Sequence, residues 1–356
     1  MLILFVVLGH AVGGIYHFAG GHARIVLGIV FKAIYLFHMP AFFFVAGYLW
    51  RRHEDRALCT CLSKHVRRLV VPYLIWGFAS ALVFVTLVAL SNIRLHGYDG
   101  YYGARMFDFP IWRPFVSILH AGDWPNGEGF RCNSVLWFLP CMFIVLAVYD
   151  CLDRLLCSTG NRRYHTFFNV SLVVVCAVIA ALLRFKKFSF LPWGLSRAPF
   201  FLVFFAFGQL IPKASCDRSM HVGWWMVFCG WLIIVLAAWL YPDLGCAYVS
   251  WGWFIYSMAL AALGCILSMW TAEYFASERC ADILSPLGVS SLGIMLLHKF
   301  LMMPLLGLCS KLPCNSVFFV VLETISMTSL AVIISEFLSR IIRKRIPCVL
   351  GESKSE

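Results

Sequence analysis

The sequence predicts an all-α fold, a polytopic bundle of about ten transmembrane helices, and two observations carry that prediction. Of its 356 residues 62% are hydrophobic and only 13% charged, with a mean hydropathy of +0.84. An ordinary soluble domain is about 45–50% apolar, so the excess must face lipid. The apolar residues also gather into runs near the length, about 20 residues, that crosses a hydrocarbon core.

Between charged or Gly/Pro-rich breaks the runs fall at 1–19, 27–50, 69–90, 134–151, 167–183, 198–212, 222–241, 247–270, 286–309 and 315–339, the sixth being short. They form a single domain, 1–345, followed by a short tail, 346–356. Basic loops stay cytoplasmic. With the N-terminus inside, 17 of the 29 Lys and Arg lie in inner segments and ten in outer gaps, which predicts both termini in the cytoplasm. Arg184, Lys186, Lys187 and Arg197 run against that bias. The net charge of +12 therefore reads as orientation anchors meeting anionic lipid head groups, with no nucleic-acid partner.

Most of the 15 cysteines sit in apolar runs, where a thiol packs as a small hydrophobe. Cys59 and Cys61 form a C-x-C, weak by itself as a metal signal. Cys132, Cys246 and Cys314 fall in loops assigned to the outside, where a disulfide is open. The first run lacks a basic leader and an A-x-A-like site. The loop at 91–133, rich in Gly, Tyr, Trp, Asp and His, is longer than a connector needs and suits a polar acceptor surface.

Ionisable groups inside spans are costly and mark function by default. His10 lies in the first span, His38 in the second, His298 in the ninth and Glu323 in the tenth. At a rise of about 1.5 Å per residue all four sit near the midplane, which permits a shared site. A structural role stands beside each: His298 as a packing histidine, Glu323 as a partner for a histidine or for Lys32. Gly9, Gly13 and Gly14 flank His10 and leave room for a neighbour or a substrate beside the ring. Pro40, two residues beyond His38, removes a backbone donor and opens the second span locally.

The inner loop "RRHEDRALCTCLSKHVRRLVVPYLIW" is the second strong feature. Arg51, Arg52 and Arg56 read as orientation anchors. The spacings Lys64/Arg67 and His65/Arg68, three apart, present forked donors to phosphates at the membrane face. A phosphate-bearing cytoplasmic donor fits that arrangement.

The blocks "VVLGH", "FHMPAFFFVAGYLW", "RRLVVPYLIWG", "LWFLPCMFIV", "FFLVFFAFGQLI" and "SSLGIMLLHKF" occur in this order. The ordered set resembles the acyltransferase-3 family of integral membrane O-acyltransferases, in its fucose 4-O-acetylase-like branch, from residue 2 to about residue 310. The resemblance implies a ten-helix enzyme that moves an acyl group, usually acetyl from acetyl-CoA, to a hydroxyl of a cell-surface carbohydrate or lipid-linked sugar. Acyl-CoA would enter as a donor substrate, with no bound cofactor and no metal. The family's essential histidine falls on His10 and its second-block histidine on His38, followed by Pro40 and Gly47. Its basic pair before the third span falls on His65 and Arg68, with Lys64 and Arg67 as a neighbouring register. Members usually carry R-x-x-R here, so His65 stands in place of an arginine. They also carry an Arg-Gly pair before the first block, whereas this chain opens at Met1 with "LILF".

On that reading His10 takes the proton of an attacking hydroxyl or carries the acyl group briefly, and His38 orients or relays. Two other readings compete. A transporter would use the histidines and Glu323 as a proton relay, but its paired broken-helix motifs are not found. A non-catalytic scaffold leaves the histidines at matched depth without a reason.

Overall fold

A computed structural model describes residues 1–52, 57–90, 113–121, 133, 135–156, 162–185, 191–212, 223–240, 251–275, 278–309 and 316–352, and every element among them is helical. Most of the 91–133 loop, with Cys132, Cys246 and Cys314, lies outside the described residues.

The first two helices, α1 (Leu2–Tyr16) and α2 (Gly21–Leu49), form an antiparallel hairpin. A short helix α3 (Leu58–His65) runs through a π-helical turn (Val66–Val70) into α4 (Val71–Leu90). Then follow α5 (Arg113–Leu119), α6 (Phe138–Leu156), α7 (Arg162–Phe185), α8 (Ala198–Leu210), α9 (Trp224–Leu240), α10 (Trp251–Tyr274), α11 (Glu278–Val289), α12 (Ser291–Cys309) and α13 (Val317–Arg345).

The helix α2 is the axis of the bundle and packs on α1, α8, α9, α10 and α13. Its closest neighbour is α8, and two glycines set that approach. A Cβ on Gly47 would fall 2.0 Å from the Phe205 carbonyl oxygen, and one on Gly208 2.1 Å from that of Phe44. Small residues that bring backbones together are the main packing device where lipid removes the hydrophobic drive between helices. At the end of α2 the Gln209 carboxamide donates to the carbonyls of Trp50 and of Gly47, the latter also accepting the Trp50 N–H at 3.0 Å.

Each of the ten expected spans overlaps helical residues, but the exact count of about ten is not supported. Among the described residues six helical rods are long and apolar enough to cross a membrane: α2, the continuous α3–α4 rod, α7, α10, α12 and α13. Of the rest, α1 has 15 residues, α8 13 and α9 17. The 19-residue α6 carries Asp150, Asp153 and Arg154 in its second half. Burial explains α8: Phe201, Leu202, Val203, Phe204, Phe205 and Ala206 are consecutive and all buried, so protein surrounds this helix on every side. In α9, by contrast, Trp225, Phe228, Leu232 and Trp239 are exposed, as lipid contact requires.

Two further expectations change. The ninth run is not one helix: it divides at Ser290 into α11 and α12. Pro40 does not break α2, which stays helical from Gly21 to Leu49. The tail turns back as a short 3-10 segment (Pro347–Leu350) against α4. There Trp76 Nε1 donates to the Val349 carbonyl at 3.2 Å, and Arg343 Nε meets both Glu352 oxygens at 2.9 Å.

Candidate active site

Two cavities open at different levels of α2. The larger, about 310 Å³, is lined by His10, Tyr35, His38, Arg184 and Ser257 among apolar and aromatic walls. Antiparallel packing of α1 on α2 brings His10 beside Tyr35, whose hydroxyl lies 3.3 Å from His10 Nδ1. The Tyr35 ring also stands edge-on to His38, centroids 4.7 Å apart. From α12, His298 places its ring centroid 5.3 Å from that of His10.

The backbone holds two of the three imidazoles. His38 Nδ1–H donates to the Ile34 carbonyl and His298 Nδ1–H to the Ile294 carbonyl, each at 2.8 Å and each four residues back on its own helix. A carbonyl can only accept, so these bonds fix the tautomer and leave Nε2 with a lone pair. His298 is wholly buried, and its Nε2 has no hydrogen-bond partner among the described residues. His10 differs, because its contact is a hydroxyl that both donates and accepts. It can therefore exchange tautomers where its neighbours cannot. Lys299, also buried, lies within electrostatic reach of His10.

The glycines around His10 do not leave space for substrate. A Cβ on Gly9 would meet Ile34 and Tyr35, one on Gly13 Phe31, and one on Gly14 Leu306. They admit α2 and α12 instead. The carbonyl of Leu36 would pair with the amide of residue 40 in an ordinary helix, but Pro40 has none. Leu36 and Pro40 both line the cavity, so this break in the hydrogen-bond ladder faces it.

The smaller cavity, about 220 Å³, is lined by Arg51, Arg52, Lys64, His65, Arg68 and Arg154, with Asp150 and Asp153. Lys64, His65 and Arg68 thus come together, and Arg67 is not among the lining residues. The π-helical turn at Val66–Val70 is the reason. Of the two expected pairs three apart, His65/Arg68 therefore lines the pocket, joined by Lys64 four residues before Arg68, while Lys64/Arg67 does not.

Sequence reasoning missed the two aspartates. Asp150 is 6% exposed and Asp153 1%. Trp50 Nε1 donates to Asp150 Oδ1 at 2.8 Å, and His65 Nε2 to Oδ2 at 2.9 Å. Asp153 takes His165 Nε2 at 3.2 Å and lies 3.5 Å from Arg52 Nε. The chain continues inward, with the Asn169 amide donating to His165 Nδ1 at 3.0 Å and Tyr149 OH to Asn169 Oδ1 at 2.9 Å. The end of α2, α3, α6 and α7 are tied together by these bonds, which fix the orientation of the basic groups. The signal in the sequence was two carboxylates three apart at the end of an apolar run.

Glu323 is not among the residues that line the histidine cavity. It lies early in α13, within electrostatic reach of Cys309 at the end of α12. Tyr35, Ser257 and Arg154 were not assigned from the sequence either, nor was Arg184, in the last turn of α7, which lines the histidine cavity.

Comparison with known proteins adds one match: the acyltransferase-3 family model, described as an acyltransferase domain, covers residues 1–337. No curated protein and no solved structure matches the chain. With nearly its whole length matched and its apolar helices packed around a histidine cavity, the chain is an integral membrane protein that belongs to the acyltransferase-3 family.

Proposed function

We propose that the protein is an O-acyltransferase that moves an acyl group, acetyl in the first instance, from acyl-CoA to a hydroxyl of a cell-surface carbohydrate or lipid-linked sugar. The fucose 4-O-acetylase-like branch is the proposed relationship. The observation that carries the reading is the pair of cavities along α2, one basic and one holding His10. His38 and Trp50 are twelve residues apart in sequence, roughly 18 Å at 1.5 Å per residue, a span that an extended thioester arm bridges.

Lys64, Arg68 and Arg154 hold the donor phosphates, with His65 positioned by Asp150 at the same wall. With its Nδ1–H on the Tyr35 hydroxyl, His10 turns the Nε2 lone pair to the acceptor hydroxyl. The hydroxyl oxygen attacks the thioester carbonyl and its proton passes to His10. The carbon–sulfur bond then breaks, and the proton leaves with the thiolate of CoA. His38 and His298, locked as acceptors at Nε2, orient hydroxyl groups and steady the His10 ring. The protein sits in the plasma membrane with both termini cytoplasmic, and the donor binds from that side.

Mass spectrometry of surface glycans from cells with and without the protein tests this reading, with His10→Ala as control. A lost acetyl mass in both the null and the His10→Ala cells is the expected result. Unchanged glycan acetylation on deletion would overturn it.

A further inference from the structure

The histidine cavity carries a charge that the acyl-transfer chemistry does not use. Among its described lining residues Arg184 is the one formally charged side chain; the others are apolar, aromatic, hydroxyl or imidazole. Arg184 sits one residue before the end of α7 at Phe185. It shares the cavity with Phe138, the first residue of α6, and with Phe200, near the start of α8. Its position is therefore the cavity end away from the basic pocket, which lies at the other ends of α2 and α6. The guanidinium carbon stands 5.9 Å from the Phe254 ring centroid, which orients the group against an aromatic face.

A guanidinium in a cavity whose other described walls carry no formal charge is expensive to place and calls for a function. Its planar fork matches carboxylate and phosphate. The walls at the same end, Trp137, Phe138, Phe200 and Phe201, are aromatic, the kind of apolar surface that sugar rings pack on. A volume of about 310 Å³ is at the small end of the range for small-molecule sites, roughly 300–1,000 Å³. It admits a single sugar unit.

We propose that Arg184 reads a negative charge, a carboxylate or a phosphate, on the acceptor, so that the preferred acceptor is an anionic sugar unit. The identity of the ligand as acceptor rests on the acyltransferase reading, whereas charge-selective binding at Arg184 does not. The test uses the full chain in nanodiscs without acyl-CoA, titrated with methyl glucuronide, glucose 1-phosphate and methyl glucoside and followed by saturation-transfer NMR. At least one anionic probe should bind ten-fold or more tightly than the glucoside, and which one does so distinguishes carboxylate from phosphate. Arg184→Gln should erase that advantage and leave glucoside binding unchanged, while Arg184→Lys keeps part of it.

Equal binding of the three probes, binding of none, or an anion preference that survives Arg184→Gln would overturn the inference. Acetyl-CoA hydrolysis in the same discs separates the two ideas. Turnover without charge selectivity sinks this inference alone, and charge selectivity without turnover sinks the acyltransferase reading alone.

Discussion

The two cavities are built in opposite ways. In the histidine cavity the polar groups are held by their own helices: His38 on Ile34 and His298 on Ile294, each four residues back. In the basic pocket they are held across the fold, with Trp50 and His65 meeting Asp150 over sequence separations of 100 and 85 residues. The first is a rigid local device inserted in a helix bundle. The second exists only when the end of α2, α3, α6 and α7 have all assembled. A change in one cavity should thus stay confined to it, while a change in the contacts of the other should spread.

The largest effect is expected where the two designs share a support. Gly208→Ala drives a Cβ into the α2 backbone at Phe44 and also meets the Tyr48 amide nitrogen at 2.8 Å. Since neither atom is the end of a flexible side chain, the cost should be about 3 kcal/mol or more. Thermal unfolding of the protein in detergent should show a lower midpoint and loss of both ligand sites. An unchanged midpoint would mean that α2 and α8 are not packed as closely as described.

Asp150→Ala should spread across the elements that Asp150 ties together, the end of α2 and α3, while sparing the histidine cavity. It leaves the Trp50 and His65 N–H groups without their acceptor, at about 1–3 kcal/mol for each buried donor. Acetyl-CoA KM should rise about tenfold, the equivalent of about 1.4 kcal/mol, with kcat nearly constant. A fall in kcat at constant KM would place Asp150 with the chemistry instead.

Gly351→Ala is the mildest test. Gly351 has φ +71°, and a Cβ there would lie 2.7 Å from Arg68 Cα and 2.8 Å from the Arg67 carbonyl oxygen. The tail must shift off the π-helical turn, so donor affinity should weaken a few-fold, the equivalent of about 0.5–1 kcal/mol, with sugar binding unaltered. Unchanged donor affinity would show that the tail is not a support for Arg68.

The same contrast explains what was legible in the sequence. His10 and His38 stood out because a polar group in an apolar run is visible without knowing its neighbours, and their shared cavity follows from the α1–α2 hairpin. Depth alone did not give rotation about a helix axis. Glu323, expected at a similar depth, lies within electrostatic reach of Cys309 and is not among the residues lining the histidine cavity. Lys64, His65 and Arg68 were legible as basic residues before a span, but that Arg67 stands outside the pocket was not, because a π-helical turn leaves no mark in the apolar pattern. Asp150 and Asp153 were hidden for the opposite reason: charged residues at the end of a span look like an interface with water. Their partners are distant in sequence. Arg184 entered the reading only as a charge on the wrong side of a topology count. The exact count of spans was not legible, because hydropathy does not separate a helix that faces lipid from one, such as α8, enclosed by other helices.

The central claim is that the basic pocket binds the donor and the histidine cavity performs the transfer. Acetyl-CoA binding and acetyl-CoA turnover, measured side by side on His10→Ala and Arg68→Ala protein in nanodiscs, test it most directly. His10→Ala should bind acetyl-CoA as the unaltered protein does and lose turnover by about 10²–10⁴-fold, while Arg68→Ala should lose binding. Turnover retained in His10→Ala, or donor affinity untouched in Arg68→Ala, would contradict the division of labour.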